Sequence, residues 1–97
     1  MRAVHLSDLN LASRTLMVVA PSQRQAFAQG LLDAAHVADK VRKRTGRAHV
    51  QYGNGTLGGA CQRHPKAKMP DWCDSEYLEC MQMVIVALAG RNSHQCV

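Results

Sequence analysis

The sequence predicts an all-α fold: a small bundle of three main helices plus one short helix, with a long basic hinge loop. Only four of the 97 residues are aromatic, Phe27, Tyr52, Trp72 and Tyr77. The core must therefore be built from Leu, Val, Ala and Met, which suits helix-on-helix packing better than stacked sheets. Apolar residues recur at spacings of three and four along three long segments, the period of an amphipathic helix. At 97 residues the chain fits one domain whose single core is adequate without disulfide staples.

Ser7 or Asp8 is placed to cap a first helix, in which Leu9, Ala12, Leu16 and Val19 share a face and which ends before Pro21. Ser22 is placed to cap a second, longer helix. Its apolar stripe is Phe27, Leu31, Ala34, Ala38 and Val41, with Gln25, Gln29, Asp33, His36, Lys40 and Lys43 on the opposite side. Gly30 lies inside this helix, costs about 1 kcal/mol relative to alanine, and reads as the mark of a close helix crossing. Asp39 and Lys43 are four apart with the acid first, and Arg42 to Arg44 sit where the helix end is partially negative. Gly46 fits the position just past the helix.

The hinge that follows contains Gly46, Asn54 and Gly55, three residues suited to positive φ, and His49 and Tyr52, expected to pack back on the helices. Thr56 caps a brief helix through Cys61 to His64 that buries Leu57 and Ala60. Pro65 and Pro70 bracket a basic loop. Asp71, Asp74, Glu76 and Glu79 then lead into a last helix carrying Tyr77, Met81, Val84, Ile85 and Leu88; acids there suit the positive helix end. From Met81 to Ala89 only Gln82 is polar, so this helix is expected to be the most buried element. Gly90 and Arg91 end it, which gives a helical domain over 1–91 and a flexible tail over 92–97.

Charge is unevenly distributed. The chain carries 12 Lys/Arg and 7 Asp/Glu, net +5; from Lys40 to Pro70 there are eight cations and no acid, so this segment holds +8 and the remainder −3. Such a face attracts an acidic protein surface or a phosphate backbone. Arg42, Lys43, Arg44, Arg47, Arg63, Lys66 and Lys68 are the candidate partner-binding residues. Two blander readings compete: the cations are solvated charges at a helix end and in loops, or they cover the acidic start of the last helix at Asp74, Glu76 and Glu79. Gly46 and Thr56 are joined by nine residues, too many for the turn of a helix-turn-helix. His49 and Tyr52 alone make a poor base-stacking platform.

Cys61, His64, Cys73 and Cys80 are soft ligands, but Cys-x2-His with Cys-x6-Cys matches no standard zinc spacing. Cys73 lies near the start of the last helix, where the dipole favours a thiolate and neighbouring Asp71 and Asp74 oppose it. Gly53-x-Gly55-x-x-Gly58 matches a dinucleotide fingerprint in letters only, because no hydrophobic strand precedes it. No catalytic constellation follows from spacing, and no cofactor is expected. The apolar run Leu16 to Ala20 is far below the length of a signal or membrane-spanning segment, which predicts a cytoplasmic protein with free thiols.

The runs Thr45-Gly46-Arg47-Ala48-His49 and Gly53-Asn54-Gly55-Thr56-Leu57 resemble a family of small, uncharacterised helical proteins of alphaproteobacteria. The resemblance implies a bacterial cytoplasm and brings no activity or site residue. Together these readings predict a non-enzymatic interaction or regulatory module whose basic hinge binds an acidic partner. The alternatives are a DNA-binding or phage-like DNA-packaging accessory protein that forms homo-oligomers, and a cysteine-based metal or redox protein.

Overall fold

All four expected helices are present in the computed structural model, which describes the backbone of residues 1–95 and the side chains of residues 1–91. They are α1 (Leu6–Met17), α2 (Arg24–Thr45), the short α3 (Leu57–Cys61) and α4 (Ser75–Gln95), with a 3-10 turn at Pro21–Gln23. Among the described residues there is no strand, only an isolated antiparallel bridge between His49 and Gly53. No described helix is long and apolar enough to cross a membrane.

Neither expected cap of the first two helices holds. His5 is the N-cap of α1 and Asp8 lies inside the first turn, where its Oδ2 accepts the His5 N–H at 2.9 Å. The second oxygen is spent elsewhere: Oδ1 accepts the Gly58 N–H at 3.0 Å, so one buried carboxylate ties the starts of α1 and α3 together. Ser22 does not cap α2, because proline at position 21 sets up a 3-10 turn and α2 begins at Arg24 with no side-chain cap. Thr56 does cap α3; its Oγ1 accepts the Gly59 N–H at 3.0 Å.

The expectation that α4 is the most buried element is corrected. Its central run is apolar all round, yet only one side, Tyr77, Cys80, Val84 and Ala87, is buried, while Leu78, Ile85 and Val86 are exposed. The helix in the middle is α1, which packs on α4, α3 and α2 and contributes Ala12 and Leu16, both fully buried. The stripe on α2 is rotated for the same reason. Leu31 and Ala38 are buried as expected, together with Ala28, Leu32 and Ala35, whereas Phe27, Ala34 and Val41 are only half-buried. α4 also runs through Gly90 and Arg91 to Gln95; the rest of the expected tail over 92–97 falls outside the described residues.

The join between α1 and α2 rests on a buried arginine. Arg24 Nε donates to the carbonyls of Leu16 at 2.9 Å and Val19 at 3.0 Å, and Nη2 donates to that of Met17 at 3.2 Å. These carbonyls lie at the negative end of α1, and that of Leu16 also accepts the Val19 N–H at 3.0 Å. The same Nη2 reaches Glu76 Oε1 on α4 at 2.6 Å. One side chain thereby fixes the end of one helix and the start of another.

Candidate functional site: the basic hinge and the groove beside it

The hinge is a sequence of small locked turns. Gly46, at φ 74°, ends α2 in the left-handed region, and its N–H donates to the Arg42 carbonyl at 2.8 Å. Thr45 Oγ1 donates to the Val41 carbonyl at 2.8 Å and accepts the Arg47 N–H at 3.2 Å. His49 and Tyr52 stack on each other, rings 4.5 Å apart and nearly parallel, and His49 Nδ1 accepts the N–H groups of Gln51 and Tyr52 at 3.0 Å each. Among the described residues positive φ falls at Gly46, Gly53 and Gly55 and at no non-glycine residue. Asn54 is therefore not the left-handed residue it was expected to be; its Oδ1 accepts from the backbone and hydroxyl of Thr56 instead.

The seven candidate cations separate into two groups. At the tip of α2, Arg42, Arg44 and Arg47 are exposed and their guanidinium groups make no hydrogen bond or ion pair among the described residues. Lys43, beside them, is paired with Asp39 at 3.1 Å, which holds that carboxyl below its ordinary range, with desolvation opposing. The second group lies along the flank. Lys66 Nζ donates to the carbonyls of Cys61 and His64 at 2.8 and 2.9 Å and so closes the end of α3. Arg63 and Lys68 are exposed and pair with no acid among the described residues. The intervening Ala67 is pinned to α1, donating to the Arg14 carbonyl and accepting from Arg14 Nε. Because the His64 ring packs edge-on against Phe27 at 5.0 Å, and about 22 Å of helix separates positions 27 and 42, tip and flank are screened from each other at a Debye length of about 8 Å.

The acids of α4 do not neutralise either group. Asp74 Oδ1 accepts the Tyr77 N–H at 3.1 Å, Glu76 belongs to Arg24, and Glu79 is exposed and pairs with no cation among the described residues.

Beside the flank lies a feature that the sequence reading missed. A groove of about 510 Å³ runs between the first half of α2 and α3; Phe27, Gly30 and Ala34 form its floor, Tyr52 and His64 its walls, and Arg63 its rim. Burial, followed by the charges of Arg63 and Lys66, lowers the His64 pKa, which keeps this wall neutral at pH 7. Gly30 does not mark a helix crossing: a Cβ placed there would meet nothing within 4 Å. The legible signal was the unexplained glycine in a strong helix pattern.

Cys61, His64, Cys73 and Cys80 do not assemble. Among the described residues no three His, Cys, Asp or Glu side chains are grouped so as to hold a metal ion. Cys61 and Cys80 are buried and Cys73 is exposed, all three as free thiols. Burial pushes the Cys61 thiol up to about 11 and raises that of Cys80. Since the thiolate is the reactive species, native protein carrying Cys96→Ala is expected to be alkylated quickly at Cys73, and at Cys61 and Cys80 only under denaturing conditions. Peptide mass spectrometry after a short iodoacetamide pulse checks this; native-state labelling of Cys61 would contradict the burial.

A family model described as Domain of unknown function (DUF7742) matches residues 2–88 of the chain. No curated protein and no solved structure matches it.

Proposed function

We propose, for a chain that belongs to the DUF7742 family and so to one whose description names no activity, that it is a non-enzymatic binding module of the bacterial cytoplasm. In this reading the tip of α2 recognises an acidic surface on a protein partner. The observation that carries the reading is the set of free guanidinium groups at Arg42, Arg44 and Arg47, held out by the Gly46 and Thr45 turn while the acids of α4 are engaged elsewhere or remote. A protein partner is favoured over a phosphate backbone by Val50, which is 99% exposed on the same loop. Apolar contact ringed by arginine is characteristic of protein interfaces, whereas a phosphate backbone offers that side chain nothing.

The test is titration with a poly-glutamate peptide and with duplex DNA at low and moderate salt. The peptide is expected to bind, with affinity screened by salt, and Arg44→Glu with Arg47→Glu is expected to weaken binding while thermal unfolding stays unchanged, since exposed charges contribute little to stability. Tighter binding to DNA, with a log affinity falling by about 3 per log unit of salt as three phosphate contacts would give, would replace this reading with the nucleic-acid one. Binding to neither would remove both.

A further inference from the structure

Two apolar surfaces of this fold are left uncovered, and they complement each other. On α2, Phe27, Gly30, Ala34, Val37 and Val41 follow at spacings of three and four and so share one face, and none of them is buried. The first half of that face is the floor of the groove walled by Tyr52 and His64. On α4, Leu78, Ile85 and Val86 are 42%, 48% and 62% exposed; Leu78 and Ile85 share one side, and Val86, with Glu79, borders a cavity against Gln25 and Gln29 of α2. The stripe from Leu78 to Val86 is about 12 Å long and the groove floor from Gln23 to Ala34 about 16 Å, so the one fits within the other.

Charge matches as well as shape. Among the described residues Glu79, beside Val86 on α4, is an exposed acid paired with no cation, and Arg63, at the rim of the groove, is an exposed cation paired with no acid. Gly30 carries the shape argument. Glycine is unfavourable inside a helix, and no neighbour within 4 Å requires it there. Its missing side chain leaves the floor of the groove open to a side chain from another molecule.

We propose that this chain assembles head to tail with copies of itself, the outer face of α4 in one copy seated in the α2–α3 groove of the next. Ile85 and Val86 cover Phe27, Gly30 and Ala34, and Glu79 meets Arg63. The two surfaces are different patches of one subunit, so the contact is heterologous; copies add until a ring closes or a filament continues. Each added copy presents another α2 tip, and a polyanionic partner can then engage several tips at once. The assembly does not depend on the role of those tips, because it uses neither Arg42 nor Arg47.

Sedimentation velocity on the full chain, from micromolar to near-millimolar concentration, tests it. The wild-type protein is expected to form species beyond the dimer. Gly30→Leu, which fills the groove at a position with free space, and Ile85→Glu, which places a charge on the opposing face, are each expected to weaken association at least tenfold with unchanged circular dichroism. An equimolar mixture of the two variants decides the geometry. One carries an intact groove and the other an intact α4 face, so a head-to-tail contact restores a single interface and the mixture stops at a heterodimer. A wild-type chain that stays monomeric throughout overturns the proposal. So does a mixture that fails to associate, and so does association that Ile85→Glu abolishes and Gly30→Leu leaves intact, which would mean α4 pairing with α4.

Discussion

Arg24→Ala lowers the free energy of unfolding by about 2 to 4 kcal/mol, the size expected when several charge-assisted hydrogen bonds are deleted together. The carbonyls of Leu16, Met17 and Val19 all lose the Arg24 donor, while that of Leu16 keeps the Val19 N–H. Leu16 is fully buried, so water cannot readily replace the Arg24 bond there. Glu76 contributes less, because its side chain is 51% exposed and rehydrates once Arg24 is gone; this keeps the loss below the full penalty of breaking a buried ion pair. Arg24→Lys is expected to recover less than half of the loss, since an ammonium cannot reproduce the planar fork that serves the carbonyls and the carboxylate together. Urea unfolding of the three proteins measures the series. A loss under about 1 kcal/mol for the alanine variant would mean that the 3-10 turn, and not the arginine, holds α1 to α2.

Arg24 also shows where sequence reading stops. Its contacts are to the end of another helix and to a residue 52 positions away, and no local spacing announces them. What was legible is local: the end of α2 at Gly46, the Thr56 cap and the length of α2 follow from backbone geometry and nearby side chains. The burial of α4 was misread because an all-round apolar segment has no preferred face in its own sequence. Its exposed side is decided by where α1 lies. The charge segregation was legible from composition alone, but its division into tip and flank depends on the chain folding back along α2, with Gly55 beside Asp39 and His64 beside Phe27. The groove was hidden for the same reason, since α2 supplies only its floor.

That return of the chain depends on Gly55, and Gly55→Ala is expected to destabilise the protein by about 2 to 5 kcal/mol, the sum of a backbone cost and an overpacking cost. The backbone term arises because Gly55 has φ 92°, where a side chain crowds its own carbonyls. The packing term is separate. A Cβ at Gly55 would lie 2.8 Å from the Asp39 Cα and 3.0 Å from its Cβ; these are groups of the α2 backbone or fixed to it, so the hinge itself would have to move. The Gly55 carbonyl also accepts the Arg2 N–H at 2.9 Å, so the movement would reach the segment before α1. Gly46→Ala is the matched control. Gly46 has φ 74°, yet a Cβ there meets nothing within 4 Å, so its loss should be the backbone term alone, about 1 to 2 kcal/mol. The difference between the two alanine variants in chemical denaturation therefore reads the contact between hinge and α2. Equal losses would show that the hinge is not seated against Asp39, and the path that carries α3 back toward Phe27 would then have to be redrawn.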